Sequence, residues 1–204
     1  MKGSRCGKMG KIYYVMGKSS SGKDTIYKRL QECFPKFRNI TLYTTRPIRE
    51  GETDGVEYFF VDEERLREIQ ESDCLIEKRS YNTQYGIWTY FTADDGQIDL
   101  SRYDYLVIGT LESFQDMKAY FGEEFIVPVY IEVEDGMRLH RALQREMEQK
   151  KPGYAEMCRR FLADSEDFSE QNLRKSGIVK RFENVKLEDC IEEIRAYIRA
   201  EGRE

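Results

Sequence analysis

The chain has 204 residues, of which 40% are hydrophobic and 35% charged, and its formal net charge is −5. This length suffices for one well-buried domain, and the negative charge argues against nucleic-acid binding, which usually needs a basic surface. We expect no membrane contact and no signal peptide, because no apolar run approaches roughly 20 residues and the N-terminus lacks an apolar segment. The five scattered cysteines predict reduced thiols and a cytoplasmic location rather than disulfides or a zinc site.

The first predicted elements are a buried strand, a loop and a helix. The strand is Ile12–Met16, a short apolar run rich in β-forming residues. The helix begins near Lys23, places apolar residues every fourth position, and ends before Pro35, which stops helices. A strand, a glycine-bearing loop and a helix in this order predict the start of an α/β core.

Residues 41–92 are polar and rich in turns, and they predict a small β-rich lobe with one helix. Asp62 has the position of the N-cap of that helix, and Val61 and Leu66 have the spacing of a hydrophobic staple. Short apolar runs that precede and follow this helix predict the strands of the lobe.

Three further apolar runs predict strands at 105–108, 126–133 and 178–179, with amphipathic helices between and after them. Buried strands that alternate with helices indicate the α/β class, with a parallel sheet flanked by helices. One long charged helix has a predicted apolar face of Leu139, Leu143 and Met147.

Residues Gly17 to Lys23 read G-K-S-S-S-G-K and fit the phosphate-binding pattern G-x-x-x-x-G-K. Glycines let the backbone approach a phosphate closely, while successive N–H groups and the helix N-terminus face the anion. Lys23 is expected to place its ammonium group on the β- and γ-phosphates. The predicted phosphate-loop residues are Gly17, Ser19, Ser20, Ser21, Gly22, Lys23, Asp24 and Thr25.

The pattern departs from the usual one at the residue after the lysine. A serine or threonine normally stands there and binds Mg²⁺, whereas this chain has Asp24, followed by Thr25. One hypothesis is that Asp24 supplies a carboxylate to Mg²⁺, directly or through water. The other is that Asp24 stabilises the first helical turn, where a carboxylate is favoured. The sequence leaves both open.

The stretch from Tyr43 to Val61 places Arg46, Arg49 and Tyr58 in a turn-rich segment. Two guanidinium groups and a phenol suit a phosphate dianion. The segment closely resembles the signature T-T-R-x-x-R-x-G-E-x-x-G-x-x-Y-x-F-V of guanylate kinases. The resemblance continues in Leu75-Ile76-Glu77, Tyr85-Gly86, Arg141-x-x-x-Arg145, Arg159-Arg160 and Arg181-Phe182-Glu183-Asn184.

The resemblance implies a transfer of the γ-phosphoryl group of ATP to GMP or dGMP, with Mg²⁺. It implies that Arg46, Arg49, Tyr58 and Tyr85 hold the acceptor's phosphate and that Glu77 accepts hydrogen bonds from guanine. It also implies that the lid arginines Arg141, Arg145 and Arg160 close over the ATP phosphates, and that Asn184 lies at the adenine side. The implied catalytic residues are Lys23, Arg46, Arg141, Arg145 and Arg160.

The resemblance also implies a single domain over residues 1–204. Its P-loop kinase core is expected at about 10–40, 93–135 and 176–204. The β-rich acceptor-binding lobe is expected at about 41–92, and the helical lid at about 136–165.

The positions that read guanine differ from the family pattern. Leu42 and Ile87 stand where the family has serines, and Val107–Gly109 stands where it has aspartates. Thr83, Thr89, Thr110 and Glu112 are candidate replacements. G-K-D followed by Ser or Thr, and Y-x-T-R-P, also resemble ribose bisphosphate phosphokinases, so another phosphorylated small molecule such as ribose 1,5-bisphosphate is the alternative acceptor. A non-catalytic guanylate-kinase-like binding module and a regulatory NTPase are alternatives of a different class.

Overall fold

A computed structural model describes residues 9–83 and 86–202 of the chain. Strands and helices alternate along most of this part, as the sequence predicts. The strands are β1 (Ile12–Met16), β2 (Arg38–Asn39), β3 (Tyr43–Thr44), β4 (Phe59–Phe60), β5 (Leu75–Thr83), β6 (Gly86–Ala93), β7 (Tyr105–Gly109), β8 (Ile126–Glu132) and β9 (Arg181–Glu183). The α-helices are α1 (Lys23–Cys33), α2 (Glu63–Glu71), α3 (Leu111–Phe121), α4 (Asp135–Met147), α5 (Tyr154–Asp167), α6 (Glu170–Lys175) and α7 (Leu187–Glu201), and a 3₁₀ turn covers Glu123–Phe125.

The larger sheet has the strand order β2-β7-β1-β8-β9, and all its described pairs are parallel. Alternate residues of β1 point to opposite faces. Ile12, Tyr14 and Met16 belong to the cluster that contains Phe114 of α3. Tyr13 and Val15 belong to the cluster on the other face, which contains Leu30 of α1 and Ile194 of α7. Helices therefore cover both faces of a parallel sheet, and the predicted fold class is confirmed.

The smaller sheet has the strand order β4-β3-β6-β5 and packs one face on α2. Asp62 caps this helix, because its carboxylate accepts a 2.8 Å hydrogen bond from the backbone N–H of Arg65. Leu66 is buried in the cluster between the helix and the sheet, and Val61 packs against that cluster. The predicted cap and hydrophobic staple are both confirmed.

Two local predictions were wrong. The last strand is β9 rather than residues 178–179, since Phe182 is wholly buried beside β8 whereas Val179 is 90% exposed. On α4 the predicted apolar face is exposed, and the helix instead buries Arg138 and Ala142. No α-helix among the described residues is both long and apolar enough to cross a bilayer.

Candidate active site

The phosphate loop follows the last residue of β1 and leads directly into α1. Gly17 passes so close to β8 that an added Cβ would lie 2.5 Å from the carbonyl oxygen of Ile131. Gly22 has a φ of 84°, and Ser20 also has a positive φ, of 64°. These left-handed conformations turn the backbone sharply within the loop, as a loop that wraps around a phosphate requires.

A cleft of about 470 Å³ opens beside this loop. Its walls come from the loop, the first turn of α1, one side of α4, and the connection between β9 and α7. Most of its lining residues were predicted from the sequence as donor-binding or lid residues. They are Ser20, Gly22, Asp24, Thr25, Arg141, Arg145 and Asn184, joined by Val185 and Leu187.

Two predicted lid arginines reach the cleft from α4. Nη2 of Arg141 donates to the backbone carbonyl of Asn184 at 3.1 Å, and Nη2 of Arg145 donates to Oγ of Ser20 at 3.3 Å. The Asn184 side chain is buried and donates from Nδ2 to the carbonyl oxygen of Ser21 at 2.8 Å. The two guanidinium groups and the phosphate loop thus line the same cleft. This arrangement suits a polyphosphate ligand.

The third predicted lid arginine, Arg160, does not line this cleft. It lies exposed on α5, where it and Arg159 both donate to the carboxylate of Glu156. These two hydrogen-bonded guanidinium groups lower the pKa of Glu156 to about 2. In this structure the Arg160 side chain therefore pairs with Glu156 instead of lining the cleft.

Lys23 begins α1, and its Nζ lies 3.5 Å from Oδ2 of Asp24. The Asp24 carboxylate is 79% exposed and lines the cleft beside Thr25. Among the described residues, no three His, Cys, Asp or Glu side chains form a metal-binding group. Mg²⁺ in nucleotide sites typically uses one or two protein oxygens with waters and phosphates, so Asp24 and Thr25 form a fitting donor set.

Three charged residues that the sequence analysis missed hold the phosphate loop in place. Asp164 of α5 accepts a 2.7 Å hydrogen bond from the backbone N–H of Ser19. Arg138 of α4 donates to the carbonyl oxygen of the same residue at 2.9 Å, and it pairs with Asp135 at 2.8 Å. Its side chain is buried against the ring of Phe161. The sequence held one signal for the burial of Arg138. It lies four residues before Ala142, so the two residues share one side of α4, and this side is buried.

In the lobe, Arg46 is held by a bidentate ion pair. Its Nη1 and Nη2 donate to Glu52 at 2.7 and 2.5 Å, and its side chain is only 3% exposed. The Arg46 guanidinium is the main reason that the pKa of Glu52 falls to about 2. The guanidinium also lies 5.2 Å from the centre of the Tyr58 ring, while that of Arg49 lies 6.0 Å from the Trp88 ring.

Glu77 is buried behind a neighbouring arginine. Its carboxylate is 1% exposed and accepts hydrogen bonds from Nε of Arg79 at 3.0 Å and from Oγ1 of Thr92 at 2.7 Å. The predicted acceptor contact Tyr85 lies outside the described residues.

The structure explains one departure from the family pattern. A Cβ at Gly109 would lie 2.0 Å from the hydroxyl oxygen of Tyr14, which is fixed by a 2.5 Å hydrogen bond to Ser113. Burial raises the pKa of this phenol well above its ordinary value, so it stays neutral. An aspartate therefore has no room at position 109. Leu42 is half-buried and Ile87 is exposed.

Residues 9–91 match the family model described as guanylate kinase. The guanylate kinase of Legionella pneumophila (strain Lens) is 37% identical over 78 residues, 38% of this chain and 37% of that protein. That of Chlorobium luteolum is 36% identical over 80 residues, covering 39% and 41%. A crystal structure of guanylate kinase from Anaplasma phagocytophilum aligns with a TM-score of 0.64 and 20% identity, over 96% of this chain and 88% of that chain.

The chain has the fold of that guanylate kinase, and residues 9–91 match the guanylate kinase family by sequence. The family resemblance stated from the motifs is thus confirmed. The matched segments cover between a third and a half of the curated guanylate kinases' own length.

The guanylate kinase sequence match covers the phosphate loop and most of the lobe but ends before the lid. Arg141, Arg145 and Asn184 lie beyond the matched residues. The structure of this chain nevertheless shows that these three residues line one cleft with the phosphate loop.

Proposed function

We propose that the chain transfers the γ-phosphoryl group of ATP to GMP or dGMP, giving ADP and GDP or dGDP. The observation that carries this proposal is the cleft in which Arg141, Arg145 and Asn184 meet the phosphate loop. The guanylate kinase match over residues 9–91 supports the choice of a nucleoside monophosphate as acceptor.

The reaction is an in-line displacement at the γ-phosphorus. An oxygen of the acceptor's phosphate forms the new bond, the bond from the γ-phosphorus to the bridging oxygen breaks, and ADP leaves with that electron pair. The acceptor phosphate is already anionic, so no protein group has to remove a proton. The loop N–H groups and Lys23 bind the donor, while Arg141 and Arg145 stabilise the charge that develops during transfer.

Asp24 and Thr25 are the proposed holders of Mg²⁺, through their oxygens at the cleft. When bound, the ion neutralises part of the charge on the donor phosphates. Arg160 is proposed as a further lid arginine, and closure of the lid would exclude water from the transfer.

The acceptor contacts also remain proposals. Arg46, Arg49, Tyr58 and Tyr85 would bind the acceptor's phosphate, and the buried pair of Arg46 with Glu52 fixes one of these guanidinium groups in advance. Glu77 would accept hydrogen bonds from the guanine base. We propose that the chain divides into a core (10–40, 93–135 and 176–204), an acceptor lobe (41–92) and a lid (136–165). We also propose that the protein is cytoplasmic.

The test is a coupled assay of ADP release with ATP and Mg²⁺ against GMP, dGMP, AMP, UMP, CMP, IMP and ribose 1,5-bisphosphate. We expect GMP or dGMP to be turned over best. Turnover of the sugar phosphate alone, acceptor-independent hydrolysis, or no turnover would each overturn the proposal.

A pair of variants ties this activity to the phosphate loop. Lys23→Met is expected to lower kcat/KM at least roughly a hundredfold, because it removes a preorganised charge at the phosphates. Lys28→Met, on an exposed position of the same helix, is expected to leave it unchanged.

A further inference from the structure

A second cavity, of about 340 Å³, lies beside the donor cleft and shares Val185 with it. It lies at the carboxyl ends of β8 and β9, the edge where open α/β sheets commonly bind ligands. Its volume falls within the range of small-molecule sites, which begins at about 300 Å³. The proposed phosphoryl transfer does not use this cavity.

The wall of the second cavity is acidic. Four carboxylates line it, those of Glu132, Glu134, Asp135 and Glu183, together with one cationic lining residue, Lys18. The register of the two strands places Glu132 beside Glu183. Paired residues of neighbouring strands point to the same face of a sheet, and like charges in such positions repel each other. A cation in the cavity would relieve this repulsion.

Two of the four carboxylates have cationic partners. Arg181 pairs with Glu132 at 2.9 Å, and Lys18 pairs with Asp135 at 3.2 Å. The oxygens of the third carboxylate accept only backbone N–H groups at the start of α4, at 2.8 and 2.9 Å. The fourth, that of Glu183, is exposed and has no hydrogen-bonding partner among the described residues. Two negative charges at the cavity therefore lack an ion pair with a described residue.

A buried hydroxyl without a partner lies at the same cavity. Tyr130 lines the cavity with only 2% of the residue exposed, and its phenol makes no hydrogen bond to any described residue. Burial, and then the charge of Glu132, raises the pKa of this phenol to about 12, so it stays neutral. Buried tyrosine hydroxyls usually have a partner, and a neutral phenol oxygen can accept a hydrogen bond from an ammonium group. The hydroxyl thus points to a ligand independently of the carboxylates.

The cavity also has an apolar part, which Val133 and Val185 provide. Val185 is 60% exposed. Among the described residues, no three acidic side chains converge as ligands of one metal ion. The volume also far exceeds the roughly 10–15 Å³ that a single water molecule needs. Separate negative charges and an apolar surface suit a flexible organic cation better than a metal ion.

We propose that this cavity binds an alkyl diammonium ion, whose two ammonium groups lie at Glu134 and Glu183. Its hydrocarbon chain packs against Val133 and Val185. An ammonium group has three N–H donors, so one group can donate to a carboxylate and to the Tyr130 oxygen together. This inference does not depend on the proposed function.

The experiment titrates the wild-type chain, without nucleotide, with 1,4-diaminobutane and follows its backbone amides by heteronuclear NMR. We expect saturable binding in the millimolar range or tighter, with shifts centred on the amides of Val133 and Val185. Butylamine has one ammonium group, so it should bind roughly tenfold more weakly. Equal binding of the two amines, or unsaturated shifts spread over the acidic surface, would overturn the inference.

Three variants locate the binding. Glu183→Gln removes one charge at an exposed position, and the affinity for 1,4-diaminobutane should fall roughly tenfold. Tyr130→Phe removes only the hydroxyl oxygen and should weaken binding roughly threefold to tenfold. Glu64→Gln, which changes an exposed carboxylate on α2, is the matched control and should bind as wild type. The spectra also report whether each variant is folded. Wild-type affinity in folded Glu183→Gln contradicts the inference.

A parallel titration with MgCl₂ alone distinguishes the two kinds of cation. If Mg²⁺ shifts the same amides at lower concentration than the diamine does, the cavity is a metal site and the inference is overturned. The outcomes also remain separate from the kinase assay. Turnover of GMP without diamine binding overturns this inference alone, whereas diamine binding without turnover overturns the proposed function alone.

Discussion

Nη1 of Arg138 donates a 2.9 Å hydrogen bond to the carbonyl oxygen of Ser19, 119 residues earlier in the chain. The backbone N–H of the same serine donates to Asp164. Both polar backbone groups of one phosphate-loop residue are therefore held by α4 and α5. The conformation of the loop depends on these two helices as well as on its own glycines.

The first prediction concerns this arrangement. Arg138→Met should lower the free energy of unfolding by about 1–3 kcal/mol, because it removes charged hydrogen bonds from a buried position. It should also raise the KM for ATP, because Ser19 loses one of its two anchors. Urea denaturation and ATP titration measure the two effects. Arg67→Met, on the exposed side of α2, is the control, and equal behaviour of the two variants would contradict the prediction.

The second prediction concerns Tyr14 and Gly109. Gly109→Ala should destabilise the fold by about 1–3 kcal/mol, since its methyl group would meet the Tyr14 hydroxyl at 2.0 Å. In a Tyr14→Leu background the same substitution should cost less, and a double-mutant cycle of unfolding free energies measures the difference. Gly153→Ala is the control, because the nearest atom to its Cβ, a Glu146 oxygen, is 3.7 Å away. Additive costs at positions 14 and 109 would refute the steric explanation.

The third prediction concerns acid stability. The Arg46 guanidinium lowers the pKa of Glu52 from an ordinary 4.5 to about 2 in the folded state. Glu52 therefore contributes stability that is complete above pH 4.5 and is lost as the pH falls through about 2. In Glu52→Gln, the slope of the unfolding free energy against pH should be smaller in this window. The difference in slope corresponds to at most about one proton taken up on unfolding. Chemical denaturation at several pH values measures this slope, and Glu50→Gln, an exposed neighbour, should keep the wild-type slope.

The fourth prediction separates the two hypotheses for Asp24. If Asp24 contributes to the Mg²⁺ site, Asp24→Ser should raise the Mg²⁺ concentration for half-maximal activity roughly tenfold. If it only stabilises the first turn of α1, the substitution should cost about 0.3–1 kcal/mol of unfolding free energy and leave the Mg²⁺ requirement unchanged. We expect the first result, because Asp24 lines the cleft with Thr25. Glu32→Ser, near the other end of α1, is the control.

Features encoded within a few neighbouring residues were predictable from the sequence. The phosphate loop, the Asp62 cap and the buried strand β1 all depend on short patterns, and each is found where the pattern places it. The order of buried strands and helices was enough to give the α/β class, because alternation requires crossovers that cover a parallel sheet.

Features that depend on distant partners were not predictable. The predicted apolar face of α4 did not include Arg138, which carries a charge, yet Asp164 and the Ser19 carbonyl satisfy that charge in the interior. The absence of an acidic side chain at position 109 depends on a tyrosine from a neighbouring strand. In each case the deciding partner is brought close by folding.

The place of β1 in the larger sheet has a consequence for motion. All five of its residues are buried, and hydrogen-bonded neighbours flank it on both sides. A middle strand has no free edge, so it moves only if two ladders break together. In contrast, α5 has no buried residues. Slow amide exchange should therefore mark the strand before the phosphate loop, whereas amide exchange should be faster in α5, so that the loop joins a rigid strand to a looser helix through Asp164.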